Sequence, residues 1–292
     1  METHEITSPI DGISLFVRTW TPPEGTTIKG IVQFNHGLGE HGGRYERLAA
    51  TVNEAGFVAV AADHRGHGRS GGLRGHVEGF EQYAQDVAAV ASDIRTRHGE
   101  LPLFQYGHSM GGLITLVGNL IASTGAAGLV ISNPSLGVAF EPPKIKVAAG
   151  RLLAKFLPRL RLDNELKTSQ ISRIPEEVAK YENDPLVHSL ISTRWFTSME
   201  AAQLATNGHG RDLPLPSLFL VSTADAICDA AKTLAFAADA TNTDVVKFEG
   251  AFHEPHNDLC AEELDQALVA WLGNQTQAAA TVRYDAADAA EG

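Results

Sequence analysis

Residues 101–123 constrain this chain more than any others: a short apolar strand, Leu101-Pro-Leu-Phe-Gln-Tyr106, runs through Gly107-His-Ser-Met-Gly111 into a helix of small and apolar residues, Gly112 to Ser123. So sharp a strand-to-helix turn holds its central serine in strained backbone geometry with the hydroxyl exposed, and the flanking glycines let neighbouring backbone approach without a Cβ clash. The strand before it reads as buried, as in a parallel sheet. The helix N-terminus beyond Ser109 offers unpaired N–H groups to a developing anion.

The Gly-x-Ser-x-Gly pattern occurs twice, because Gly68-Arg69-Ser70-Gly71-Gly72 also satisfies it. Context separates the two. Ser70 lies in a run with Gly66, Gly68, Gly71, Gly72 and Gly75, too flexible to start a helix, and polar residues detach it from the strand Phe57 to Ala62. Ser70 is read as a loop residue and Ser109 as the candidate nucleophile.

Around this turn the chain alternates strand and helix signals. Alternating Ile13, Leu15 and Val17 suggest a half-buried strand, and Gly30 to Asn35, Phe57 to Ala62 and Gly128 to Ser132 suggest buried ones. Tyr45 to Ala55, Phe80 to Arg97 and Met110 to Ser123 carry helical spacing, so the first half predicts repeated βα units on a mostly parallel sheet flanked by helices, an α/β class. Strand signals return only at Leu215 to Ser222 and Asp244 to Phe248, before a helix from Ala261 to Leu272. The gap is too long for a bare loop. It contains helical patterns at Lys144 to Leu157 and Arg194 to Ala205, so residues 1–135 and 213–274 are assigned to the core, 136–212 to an inserted helical cap and 275–292 to a flexible acidic tail.

A formal net charge of −12 repels phosphate backbones and excludes nucleic acid as an expected partner. The chain has no run of eighteen apolar residues, and its acidic, polar start differs from a signal peptide, which predicts a cytoplasmic protein. Cys228 and Cys260 are expected as free thiols.

A serine hydroxyl needs a base, and the base needs an acid to fix its tautomer. Asp225 follows the apolar strand Leu218 to Val221, and His253 follows Val245 to Phe248, which gives the chain order Ser109, Asp225, His253. Asp229 lies farther from its strand and Asp244 at the wrong end of its own; His256 is the rival to His253. The His-Glu-Pro-His order lacks the His-Glu-x-x-His spacing of a helical zinc site, so no metal is expected, and no cofactor. The backbone N–H groups of Met110 and of Leu38, in the glycine turn after Ile31 to Asn35, are the candidate oxyanion donors.

Two rival readings compete with hydrolysis. Gly37-Leu-Gly-Glu-His-Gly42 matches a dinucleotide-binding G-x-G-x-x-G, with Asp63 ending the next strand, but Glu40 would set a carboxylate in a cradle meant for pyrophosphate. A non-catalytic binding protein on the same fold would be expected to have lost a member of the Ser, Asp and His set, and all three are present.

Five segments together, His36-Gly-Leu-Gly-Glu-His-Gly-Gly-Arg-Tyr45, Asp63-His-Arg-Gly-His-Gly-Arg-Ser70, Gly107-His-Ser-Met-Gly-Gly112, Thr223-Ala-Asp-Ala-Ile-Cys-Asp229 and Glu249-Gly-Ala-Phe-His-Glu-Pro-His256, resemble the monoacylglycerol lipase and bacterial lysophospholipase branch of the α/β-hydrolases. Tyr181-Glu-Asn-Asp-Pro-Leu186 is similar to a cap segment of that family. The resemblance implies an α/β-hydrolase fold, a Ser109, Asp225, His253 triad, a lipid ester as substrate, and Glu40, Arg44 and His256 as contacts for a glycerol head group. A lysophospholipase or a general carboxylesterase is the alternative it leaves open.

In the cap, Ile145, Ala148, Leu152 and Phe156 share one helical face, and Lys144, Arg151 and Lys155 fall on the polar side. Such a stripe ordinarily lies against the core. The basic flank also fits transient contact with a membrane surface.

Overall fold

The structure, a computed structural model, describes residues 1–121 and 124–290, with side chains to residue 277. Its first half follows the expected alternation: β1 (Glu2–Thr7), β2 (Ser14–Trp20), β3 (Gly30–Asn35), α1 (Glu46–Glu54), β4 (Phe57–Ala62), α2 (Glu81–His98), β5 (Leu103–His108), α3 (Met110–Ile121) and β6 (Gly128–Ser132). Between β6 and the next sheet strand stand α4 (Lys144–Phe156), β7 (Arg161–Asp163), α5 (Pro175–Asn183), β8 (Leu190–Ser192) and α6 (Thr193–Thr206). The chain then returns to the sheet with β9 (Ser217–Ser222), α7 (Ala230–Asp239), β10 (Thr243–Phe248) and α8 (Ala261–Ala290). The tail expected from residue 275 falls on the end of α8, and its last part lies outside the described residues.

The main sheet has eight strands in the order β1-β2-β4-β3-β5-β6-β9-β10. Only β2 among them runs against its neighbours, so the α/β class with a mostly parallel sheet is borne out. The central strands are buried at every position, which is why they read as unbroken apolar runs rather than as alternation. β1 escaped the sequence reading because an edge strand with one covered face can be mostly polar, as Glu2, Thr3, His4 and Glu5 are. β5 begins two residues later than predicted. Pro102 has no N–H for the ladder and contributes only its carbonyl, which accepts from the Ile31 N–H.

One face of the sheet is closed by α1 and α8, which bring Leu48, Val52, Leu264, Leu268 and Trp271 onto Phe34, Phe104 and Tyr106. On the other face α2, α3 and α7 build a second core, and α6 joins it through Trp195, Met199 and Ala202. The insertion is thereby anchored in the main body through its last helix. α4 is held differently. Its apolar face was expected on the core, but Ile145 is 85% and Phe156 75% exposed, and Leu152 is exposed as well. The stripe turned inward is the small one, Val147, Gly150 and Ala154, with Gly150 against the Phe196 ring of α6. Small residues let two helices approach closely; Leu153 beside them is half-buried, and Ile145, Leu152 and Phe156 are left on the outside. Among the described residues, no helix is long and apolar enough to cross a membrane.

Candidate active site

Parallel strands place all their carboxyl ends on one edge, so residues far apart in sequence meet there. Ser109 directly follows β5 and has φ 55°, the left-handed strain expected of the turn. The backbone is locked by Ser109 N–H donating to Ser132 O at 3.0 Å and by Ser109 O accepting from Ser135 N–H at 2.9 Å. Both glycines of the motif are needed for contact. A Cβ on Gly107 would meet Gly111 O and the Thr115 hydroxyl, and one on Gly111 would run into Asn35 O and His36 O of the β3 loop.

The Ser109 hydroxyl lies 2.9 Å from His253 Nε2, and His253 Nδ1 lies 2.7 Å from Asp225 Oδ2. An ionised carboxylate only accepts, so Nδ1 carries the proton and Nε2 is free to accept from the serine. Asp225 Oδ1 is fixed separately by the N–H groups of Ile227 and Cys228 at 2.8 and 2.9 Å. Burial pushes the imidazole down, but the charge and hydrogen bond of Asp225, with Glu254 and Glu40 behind them, outweigh it and hold His253 above the ordinary histidine value. Asp229 is occupied elsewhere: it caps α7 by accepting from Ala231 and Lys232 N–H. Asp244 accepts from the Trp271 indole.

The β3 loop lies beside the serine, with a Cβ placed on Gly37 reaching within 3.3 Å of Ser109 Cβ. Leu38 therefore follows a residue set against Ser109, and Met110, the first residue of α3, carries one of the N–H groups that a helix cannot pair internally. From above, the insertion presses on this loop at Gly39, φ 78°, where the His188 N–H donates to Gly39 O at 2.8 Å.

Glu40, Arg44 and His256 are all brought to this edge, and all are buried. Glu40 Oε1 accepts from Gly37 N–H at 2.6 Å and from the Tyr45 hydroxyl at 3.0 Å, while Oε2 accepts from Arg44. The His256 ring, 1% exposed, stacks on Tyr45 at 5.2 Å and meets His108 edge-on at 4.9 Å. Burial holds it at about 3, so it stays neutral.

The Gly37 to Gly42 turn does not fit the dinucleotide reading. Its own Glu40 carboxylate occupies the Gly37 N–H, and Asp63, which would have to meet a ribose, is buried against Arg18 and accepts from Gly42 and Arg69 N–H. Asp225, Cys228 and His253 set three potential metal-ligand atoms within 4.8 Å of one another. Their donor chemistry suits a metal poorly: both Asp225 oxygens are already bonded, and burial raises the Cys228 thiol far above its ordinary value, so it remains protonated.

Several neighbours of the site were not singled out from sequence. Cys228 Sγ stands 3.9 Å from the Ser109 hydroxyl and 3.3 Å from that of Ser135. Asn133, in the left-handed region at φ 40°, donates to His253 O at 2.8 Å and to the Ser222 hydroxyl at 2.9 Å, tying the base to β9. Glu254 is the partner of Arg44. The available signal was an acid directly after the candidate base in a segment that otherwise reads as buried.

Comparison with known proteins bears on the family and the fold. Residues 26–260 match the family described as serine aminopeptidase, S33. The chain is 34% identical over 90% of its length to an abhydrolase domain-containing protein of Dictyostelium discoideum, of which it spans only 28%. It is 32% identical to the monoglyceride lipase of Rattus norvegicus, over 85% of this chain and 82% of that protein. The structure of Paleococcus ferrophilus monoacylglycerol lipase superposes with a TM-score of 0.81 at 32% identity, covering 89% of this chain and 99% of that one. The chain belongs to the α/β-hydrolases, in the branch of ester hydrolases that includes the monoacylglycerol lipases.

Proposed function

We propose that the protein hydrolyses monoacylglycerol to fatty acid and glycerol through an acyl-enzyme on Ser109. The observation that carries this reading is the unbroken hydrogen-bonded chain from Asp225 through His253 to a serine held at positive φ. His253 Nε2 takes the serine proton as Oγ attacks the ester carbonyl, and the Leu38 and Met110 N–H groups receive the oxyanion. Each such donor is worth about 3–4 kcal/mol. His253 then gives its proton to the departing glycerol oxygen, and water repeats the sequence on the acyl-enzyme. The 32% identity to a monoglyceride lipase over most of both chains supports the choice of ester.

Direct contact of Glu40 and His256 with the glycerol end stands as part of this proposal, and requires a substrate to reach side chains that are buried here, whereas the guanidinium of Arg44 is already engaged by the Glu40 and Glu254 carboxylates. The exposed apolar face of α4 supports transient docking on a lipid surface as the way a sparingly soluble substrate is collected. Labelling by a fluorophosphonate tests the serine chemistry. A rate profile across monoacylglycerols, lysophosphatidylcholine and p-nitrophenyl esters tests the substrate: preference for lysophosphatidylcholine would make it a lysophospholipase, and preference for short p-nitrophenyl esters a general carboxylesterase.

A further inference from the structure

A single guanidinium joins two loops of this site. Arg44 Nη1 donates to Glu40 Oε2 at 2.7 Å and to Glu254 Oε1 at 2.7 Å, and Nη2 donates to Glu254 Oε2 at 2.8 Å. Glu40 in turn holds Gly37 N–H, one residue before the Leu38 donor, and Glu254 is the residue after His253. On its other end the Glu254 segment is fixed by Asn257 Nδ2 donating to Glu254 Oε2 at 2.9 Å and by Glu254 N–H donating to Ile171 O at 2.8 Å. The Tyr181 ring of α5 lies over Arg44, 4.7 Å from Cζ to the ring centroid. All three charged side chains are at least nine-tenths buried.

An exposed ion pair would carry little meaning, but three buried charges, with a two-pronged bond from Arg44 to Glu254 and a single bond to Glu40, cannot be rearranged cheaply. Burial raises Glu40, whereas at Glu254 the fork of Arg44 outweighs burial and holds the carboxyl at about 2. The cation thus belongs chiefly to the histidine side and reaches across to the oxyanion side. We propose that Arg44 is a positioning residue that sets the distance between the oxyanion loop and the His253 loop without touching the substrate, and that Glu254 lends its charge to the imidazolium formed during the reaction. This rests on the serine-hydrolase reading above.

The test uses Arg44→Met, Arg44→Lys and Glu254→Gln in the full chain, checked for folding by circular dichroism, with a soluble short-chain p-nitrophenyl ester. Misplacing an oxyanion donor predicts a fall in kcat on the order of 10²-fold for Arg44→Met, with KM changed by less than about threefold. Arg44→Lys recovers only part of the rate, because an ammonium cannot reproduce the planar fork on Glu254 while also reaching Glu40. In Glu254→Gln the removal of a negative charge near His253 moves the acid limb of kcat/KM to lower pH, a shift that a purely structural contact would not produce. If Arg44→Met does not fold, the other two variants decide. Folded variants with wild-type kcat and an unmoved acid limb would overturn the proposal, as would a loss confined to KM, which means direct substrate contact. Failure of the wild-type protein itself to react with a fluorophosphonate would instead remove the serine-hydrolase reading, and this inference with it.

Discussion

Ser109 and Ser70 sit in the same five-residue pattern, and their surroundings put them to opposite uses. The Ser70 hydroxyl donates to Asp63 O at 2.6 Å and accepts from Phe16 N–H at 2.8 Å, so its bonds close the loop onto β2 and the end of β4. The Ser109 hydroxyl is nearest His253 Nε2 at 2.9 Å, with the Ser135 hydroxyl at 3.4 Å and Cys228 Sγ at 3.9 Å, and its backbone carries the bonds to Ser132 and Ser135. In the Ser70 turn the glycines Gly68 and Gly72 take the positive φ values; at Ser109 the serine itself does. A side chain whose bonds are closed within the fold contributes stability, and one held open by strain is available for chemistry.

The sharpest way to break that comparison is a pair of alanine substitutions. Ser109→Ala should reduce ester hydrolysis by on the order of 10⁵–10⁶-fold and abolish fluorophosphonate labelling while the thermal midpoint stays near wild type. Ser70→Ala should do the reverse, keeping the rate and losing about 1–3 kcal/mol of stability from buried groups left unpaired. A Ser70→Ala protein that is inactive though folded, or a Ser109→Ala protein with appreciable turnover, would defeat the assignment.

The same contrast divides the two aspartates of Asp225 to Asp229. Asp225→Asn should cost about 10⁴-fold in kcat, because an amide beside Nδ1 favours the wrong imidazole tautomer. Asp229→Asn should leave the rate within about twofold and lower stability by no more than about 1 kcal/mol, since asparagine is itself a good helix cap. Rate measurements on both, with urea titration, decide it. Equal losses would mean that the cap of α7 is part of the catalytic geometry.

A smaller effect concerns pH. His253 must be neutral to act as base, and its carboxylate neighbours hold it above the ordinary value of 6.5. kcat/KM should therefore rise with pH through an apparent pKa above about 6.5 and level off on the alkaline side. His256, held at about 3 by burial, should contribute no limb in the neutral range. An acid limb centred well below 6 would show that the negative surroundings do not reach the imidazole.

The sequence showed most of the sheet because five buried strands, β3, β4, β5, β6 and β9, leave continuous apolar runs. It also pointed to Ser109, Asp225 and His253, because each follows a strand signal or the turn after it, β5, β9 and the more exposed β10. What it hid was the network behind them. Arg44 and Glu254 are 210 positions apart, and no local spacing records a bond that only the closed sheet creates. The polar edge strand β1, the capped helix α7 and the proline-started α5 were missed, being short or weakly patterned. α4 was found but turned over: periodicity identifies a stripe of large apolar residues, whereas burial and the contact of Gly150 with Phe196 put Val147, Gly150 and Ala154 on the covered face.

That reversed helix gives the smallest effect and extends the contrast between closed and open groups to a surface. Val147, Gly150 and Ala154 lie on the covered side of α4, with Gly150 against Phe196 of α6; Ile145, Leu152 and Phe156 are exposed. Of the cations once expected to supply the membrane affinity, Arg151 is already paired with Glu200, so the apolar side chains should matter more than the charges. Full burial of one such side chain is worth roughly 1.5–3 kcal/mol, and partial insertion of two would still change partitioning by about tenfold. Ile145→Ser combined with Phe156→Ser should weaken sedimentation with anionic vesicles by about that factor and lower the rate on dispersed long-chain monoacylglycerol by several-fold. A soluble short-chain ester should be turned over as by wild type, because neither residue belongs to the catalytic edge. Both substitutions replace exposed positions, so the fold has little to lose. Unchanged vesicle binding, or equal losses on the soluble and dispersed substrates, would make α4 a structural cover whose outward face has another cause.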